Sequence, residues 1–128
     1  MEKWEKWHPP GCEDLETTVA TLRRIEAKEA ILSIDIDVAS RTVRLQVERT
    51  LAYRVHLEEC VPDVWAKLYD ASPARGTFWE ILNSDWTRAR EAKGGLALYP
   101  KARHFAVVTE QNLIEVLTEV EPTVVGES

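Results

Sequence analysis

The sequence predicts an α+β domain, built as one curved antiparallel sheet of five or six strands with two short helices packed against it. Three observations lead to this fold class: a long run of alternating apolar and polar residues, a second hairpin pattern near the C-terminus, and two short helix patterns. The chain has 128 residues, of which 45% are hydrophobic and 30% charged. This length and composition suit a single domain over 1–128, with residues 1–3 and 124–128 loose.

The alternating run predicts the best-defined hairpin. Residues 32–38 carry aliphatic side chains at even positions, and residues 43–57 carry apolar side chains at odd positions, with Arg49 as the exception. Successive side chains of a strand face opposite sides, so both runs predict half-buried strands. The second run exceeds an ordinary strand length, so we expect a bend or bulge near residues 48–50 that keeps the faces in phase. The predicted core comprises Leu32, Ile34, Ile36, Val38, Val43, Leu45, Val47, Tyr53, Val55, Phe78, Ile81, Phe105, Val107, Ile114 and Val116.

The remaining elements follow from local signals. Residues 15–26 fit either a strand that extends the hairpin to a meander, which their β-branched residues favour, or a helix capped by Asp14. Pro62 is suited to start a short helix, residues 77–82 have strand composition, and Asn83 or Ser84 can cap a helix over residues 85–93. Residues 104–109 and 113–117 predict the second hairpin, and Pro122 ends the ordered part.

The charge balance limits the partners. The chain has 22 acidic and 16 basic residues, a net charge of −6, so its surface repels phosphate backbones and nucleic acid is not an expected partner. Basic proteins and neutral small molecules remain open. The sequence has no apolar run of membrane-spanning length, and its first seven residues alternate charges instead of forming a secretory signal. We therefore expect a cytoplasmic protein that does not associate with membranes.

Two pairs with the spacing His-x3-Cys are the strongest metal candidates. His8 with Cys12 and His56 with Cys60 could supply four zinc ligands, but zinc motifs usually place two cysteines closer together. Free thiols and ordinary histidines are the expectation, without a metal or another cofactor. The sequence also lacks a G-x-S-x-G elbow, a glycine-rich phosphate loop and an H-E-x-x-H pair, so the balance favours a protein that is not an enzyme.

Two acidic residues, Asp35 and Asp37, project from one face of a predicted strand. Paired carboxylates can serve acid–base or metal chemistry. Charged residues are also routine on the solvated face of an antiparallel sheet. We expect the second situation, with Arg44 or Arg54 of a neighbouring strand as the partner.

The aromatic residues supply the candidate binding sites. Tyr53, Arg54, Trp79, Trp86 and His104 could line a pocket inside the curved sheet. Tryptophan is enriched in binding hot spots. The candidates for partner binding are Trp4 and Trp7, which either present an aromatic patch or lie across the sheet as a lid; packing is the favoured alternative.

Residues 51–55, the segment from Phe78 to Trp86, and the hairpin from His104 to Leu117 resemble small uncharacterised bacterial proteins. Such proteins often occur as single-domain open reading frames, some of them in mobile gene cassettes or near toxin loci. The resemblance spans about residues 50–118 and consists of structural residues. It implies a bacterial origin and a compact, strand-rich domain, and it assigns no catalytic or binding residue.

Together these features predict a non-enzymatic binding or protein-interaction domain. One version is an immunity-type inhibitor that covers a basic toxin surface, with acidic residues for rapid encounter and aromatic residues as anchors. The alternative is a small-ligand-binding domain or minor enzyme with an aromatic pocket. Both a monomer and a homodimer are compatible with the sequence.

Overall fold

The computed structural model describes residues 2–12, 20–38, 40–71 and 77–127. Within these ranges, nine strands form two antiparallel sheets, accompanied by two α-helices. In chain order the strands are β1 (Lys3–Lys6), β2 (Ala20–Lys28), β3 (Ile31–Val38), β4 (Arg41–Val47), β5 (Thr50–Leu57), β6 (Phe78–Leu82), β7 (Arg103–Val108), β8 (Asn112–Thr118) and β9 (Thr123–Glu127). The helices are α1 (Pro62–Ala71) and α2 (Asp85–Ala92), and a 3-10 turn spans Glu58–Cys60.

The architecture corrects the prediction of one curved sheet. The five-stranded sheet has the order β1-β6-β7-β8-β5, and the four-stranded sheet has the order β2-β3-β4-β9. The chain passes from one sheet to the other at residues 48–49, where Arg49 has a φ of 51°. The predicted division of the long strand is therefore confirmed, but its second half joins the other sheet. The α+β class, the antiparallel pairing and the two short helices are confirmed.

The main core lies between the two sheets. Apolar side chains of β3 and β4 pack against apolar side chains of β6, β7 and β8. All the residues predicted for the core are buried except Tyr53 and Val55, which are 43% and 42% exposed. These two expectations are wrong because β5 occupies the border of its sheet, so its side chains have β8 on one side and no paired strand of the described ranges on the other.

A second apolar cluster covers the opposite face of the five-stranded sheet. It joins Leu68 of α1 and Trp4 of β1 to Trp79, Ile81 and neighbouring residues of β7 and β8. Ser84 begins α2, as predicted, because its Oγ accepts a hydrogen bond from the Thr87 N–H, 3.1 Å away. α1 packs on the five-stranded sheet through Leu68, and α2 is attached to the same sheet through Ser84, whose Oγ lies 2.7 Å from Nδ1 of His104 on β7. Neither of the helices in the described ranges is long and apolar enough to cross a membrane.

The chain ends are more ordered than the sequence predicts. Residues 123–127 form β9, which pairs with β4, and β1 pairs with β6 from Lys3 onward. The expectation that residues 124–128 are loose, and that Pro122 ends the order, is thus wrong as far as residue 127. Residues 20–28 are a strand in a β2-β3-β4 meander, which confirms the favoured alternative there; residues 13–19 lie outside the described ranges.

Candidate functional site

Strand β5 separates two sets of side chains because successive residues face opposite sides. Arg54 and His56 point to the helix-covered face of the five-stranded sheet, where both contact Glu115 of β8. Tyr53, Val55 and Leu57, which we call the β5 row, lie on the other face, the side of the four-stranded sheet. The two faces of this one strand therefore carry different features, a buried charge cluster and an exposed apolar row.

Glu115 is the centre of the charge cluster, although only 3% of its surface is exposed. Arg54 donates to it twice, from Nε at 2.7 Å and from Nη2 at 3.1 Å. His104 Nε2 lies 2.8 Å from one carboxylate oxygen, and His56 Nε2 lies 3.1 Å from the other. Both oxygens thus have hydrogen-bonding partners, as a buried carboxylate requires.

The environment of Glu115 keeps the carboxylate ionised. Burial alone would raise its pKa, but hydrogen bonds from His104 and Arg54, aided by their charges, outweigh burial and lower the pKa to about 2. A bidentate arginine is the geometry that best matches a buried carboxylate. The cluster therefore binds β5, β7 and β8 together by charge as well as by backbone pairing.

Ser84 extends the cluster to α2. Its Oγ lies 2.7 Å from His104 Nδ1, so Ser84, His104 and Glu115 form a relay like that of hydrolases. Nucleophilic attack would require access to the hydroxyl, but Ser84 is 4% and His104 2% exposed. The rings of Trp4 and Trp86 contact the His104 ring edge-on, with centroids 6.4 and 5.2 Å away. The relay is closed to a substrate and acts as a tie between α2 and the sheet.

The five predicted ligand-binding residues do not line one pocket. Three of them meet: Arg54 Cζ lies 4.0 Å above the centroid of the Trp86 ring, and Trp86 contacts His104. Trp79 is 1% exposed in the cluster that includes α1, and Tyr53 lies on the opposite face of β5. An aromatic pocket built from all five is therefore not formed.

Sequence reasoning missed Glu115, His56 and Ser84 as members of the cluster, although Ser84 was expected as a cap. A signal for Glu115 was present, because this charged residue stands within the apolar run of residues 113–117. In the predicted hairpin Glu115 lies opposite Ala106, so it shares a face with His104, which is two residues from Ala106. A buried carboxylate in such a run requires a basic neighbour.

Trp4 and Trp7, the predicted partner-binding residues, pack onto the protein. Trp4 is 7% exposed in the cluster that includes α1. The Trp7 ring contacts Phe105 with a centroid distance of 4.7 Å, and its Nε1 donates to Glu121 Oε1 at 2.6 Å. This arrangement corresponds to the lid alternative, in which neither residue forms an aromatic patch.

The two His-x3-Cys pairs do not converge. Cys12 is buried between the sheets and Cys60 is exposed. Across the described ranges, no three His, Cys, Asp or Glu residues are grouped so that they could hold a metal ion.

The acidic pair on β3 forms ion pairs and hydrogen bonds with neighbouring strands. Arg44 donates twice to Asp35, at 2.8 and 3.0 Å, and these hydrogen bonds lower the pKa of Asp35. Asp37 accepts a hydrogen bond from the Thr42 hydroxyl at 2.7 Å. The expectation that Arg44 pairs with this strand face is confirmed.

The β5 row is the most exposed apolar feature that lies on a long strand. Tyr53, Val55 and Leu57 are 43%, 42% and 53% exposed. Among residues 2–12, 20–38, 40–71 and 77–127, β5 is a border strand of the five-stranded sheet and pairs with β8 alone. The Glu58 N–H donates to the Gln111 carbonyl, which makes the even-numbered residues of β5 the hydrogen-bonded partners of β8. The N–H and C=O groups of Tyr53, Val55 and Leu57 therefore point outward from the sheet.

The other three border strands are protected in ways that β5 is not. β1 has four residues, three of them charged, and β9 has five residues. β2 carries exposed charged side chains along its length, among them Arg23, Arg24 and Glu26. Short length and charge are the usual defences of a sheet border against association with another chain. β5 has eight residues, and its exposed row of Tyr53, Val55 and Leu57 is apolar, so neither length nor charge protects that row.

Acidic residues flank the β5 row at both ends. A cleft of about 480 Å³ at the C-terminal end is lined by Leu57, Glu58, Glu59 and Gln111. A second cleft, of about 280 Å³, includes Tyr53, Ile31 and Glu29 at the other end. The row is thus apolar, and the cleft at each of its ends contains at least one exposed glutamate.

No protein-family model, curated protein or solved structure matches the chain. The resemblance to small bacterial proteins therefore stays a prediction.

Proposed function

We propose that this chain is a non-enzymatic protein-interaction domain that binds its partner along β5. The observation that carries the proposal is the coincidence of outward backbone groups and exposed apolar side chains at Tyr53, Val55 and Leu57. Each of these residues offers a partner both hydrogen bonds and apolar area. A border strand of this kind is a template for another strand.

The charge cluster supports the same function from the opposite face of the strand. Arg54 and His56 are held by Glu115, which is itself held by His104. β5 is thereby fixed before a partner arrives, and a preformed strand loses less conformational entropy on binding than a flexible one. The contacts of Glu115 with Arg54 and His56 thus serve to hold β5 in place.

The sign of the charge favours a basic partner. The chain carries a net charge of −6, and Glu29, Glu58 and Glu59 border the row. Charge complementarity speeds the encounter of oppositely charged proteins and disfavours acidic ones. An immunity-type inhibitor of a basic toxin in the bacterial cytoplasm is a protein of this kind.

A photo-cross-linking amino acid at position 55 tests the proposal in the cells of origin. Val125 on β9 is the matched control, because it is also a valine on a border strand and is 52% exposed. We expect position 55, and not position 125, to give a covalent adduct with one other protein. No adduct from position 55, or the same adducts from both positions, would contradict the proposal.

A second candidate function is the binding of a small ligand in a cleft of about 230 Å³ beside α2. Thr87 lines this cleft, and its hydroxyl is the one buried side-chain polar atom in the described ranges without a hydrogen-bonding partner. A ligand would supply that partner. Under this alternative, a metabolite would raise the melting temperature of the native protein but not of the Thr87→Val variant.

A further inference from the structure

We infer that the segment recognised by β5 is an extended, basic strand: alternating apolar residues flanked by lysine or arginine at both ends. This inference rests on the proposed function and specifies the chemistry of its partner. It follows from three properties of the surface: the outward direction of the backbone groups of alternate β5 residues, the apolar side chains of those residues, and the glutamates at both ends of the β5 row.

The positions of the outward-facing N–H and C=O groups on β5 determine the length of the partner segment. Tyr53, Val55 and Leu57 each direct one N–H and one C=O outward. These three residues span about 13 Å, because a strand rises about 3.3 Å per residue. An added strand that pairs with all three therefore needs five residues in contact, with one or two more at each end.

The row of side chains sets the apolar pattern. A residue hydrogen-bonded opposite Val55 has its side chain on the same face as Val55, about 5 Å away. Apolar partner residues opposite Tyr53, Val55 and Leu57 would therefore cover the part of the row that is exposed. The intervening partner residues lie beside Arg54 and His56, both of which already contact the Glu115 carboxylate. Uncharged polar residues suit those positions.

The glutamates at the two ends of the β5 row determine the charge of the partner segment. They also favour another protein over a second copy of this chain as the partner. Glu58 and Glu59 are exposed immediately after Leu57, and Glu29 is exposed in the cleft beside Tyr53. A second copy would bring the same glutamates and another net charge of −6 to the contact. Like charges repel across such an interface, whereas lysine or arginine at the ends of a foreign strand would meet opposite charges.

Three synthetic peptides test the inference by fluorescence anisotropy. The first has the sequence Lys-Lys-Val-Thr-Val-Thr-Val-Lys-Lys, the second replaces every lysine by glutamate, and the third keeps the lysines but has proline in place of the central valine. We expect the first to bind the native protein at least tenfold more tightly than either of the others. Proline removes the backbone donor and glutamate reverses the charge complementarity.

Two protein variants locate the binding. Val55→Lys should weaken the first peptide at least tenfold, whereas Val125→Lys should leave its affinity unchanged. The double variant Glu58→Lys, Glu59→Lys should reduce the preference for the basic over the acidic peptide at least fivefold. Equal binding of the basic and acidic peptides, or a preference that the double variant does not change, would overturn the inference.

The outcomes also separate this inference from the proposed function. If position 55 cross-links a partner protein but the peptides show no charge preference, the proposal that β5 binds a partner is retained. The inference that the partner segment is basic is then wrong. Light scattering that shows a dimer of the native chain, abolished by Val55→Lys, would overturn the inference that the bound strand comes from another protein. It would show instead that β5 binds a second copy of this chain. Absence of both cross-linking and peptide binding would contradict the proposed function itself.

Discussion

Replacement of Glu115 by glutamine should lower the free energy of unfolding by roughly 3 kcal/mol at about pH 7. The magnitude follows from the pKa of Glu115, which is about 2 in the folded protein against an ordinary value of 4.5. Each pKa unit corresponds to about 1.4 kcal/mol of interaction that favours the ionised form. Because Glu115 and His104 are buried, little water reaches the carboxylate to replace the interaction that is lost with it.

The same pKa fixes the dependence on pH. The folded-state pKa lies below the unfolded one, so the carboxylate contributes its full stability above about pH 4.5 and loses it as the pH falls towards 2. Urea titrations of the native protein and Glu115→Gln, followed by tryptophan fluorescence, should give unfolding free energies that converge over this range. Glu110→Gln, at an exposed position in the β7–β8 turn, is the matched control. A difference below 0.5 kcal/mol at about pH 7, or one that is constant with pH, would refute the reasoning.

Substitutions at three further positions test other parts of the structure, each by urea denaturation. Ser84→Ala should cost about 1–2 kcal/mol because it removes the cap of α2 and the contact with His104, and Ser84→Thr, which retains a hydroxyl, should cost less. Ile114→Ala should cost about 2–5 kcal/mol, since Ile114 is 1% exposed between the sheets; a loss below 1 kcal/mol would contradict that burial. Val55→Lys should change the stability by no more than about 0.5 kcal/mol, because Val55 is 42% exposed; a larger loss would make it a core residue.

The alternation of residues 32–47 was sufficient to predict the β3–β4 hairpin, since both strands have one face in the core and one in solvent. It could not predict that β5 joins the other sheet. The alternation of apolar and polar residues shows which side of a strand is apolar. It is the same whichever sheet the strand joins. The terminal strands β1 and β9 were missed because four or five residues at a sheet border have too little apolar periodicity to detect.

The candidate site was predictable only in part. Three of the five predicted ligand-binding residues, Arg54, Trp86 and His104, lie together. Glu115 was overlooked because hydrophobic alternation does not identify a charge that is buried with its partner. Tyr53 and Val55 were assigned to the core by the same parity that correctly placed Val43 and Leu45. An apolar row on a border strand has the sequence signature of a core strand, and only the neighbouring sheet decides which it is.

Amide hydrogen exchange along β5 is the most direct test of the claim that this strand is an open border with its odd residues facing outward. In the isolated protein we expect slow exchange at Arg54 and His56, whose N–H groups pair with β8, and fast exchange at Tyr53, Val55 and Leu57. Equal protection at all five amides would show that the strand is already covered and would contradict the account.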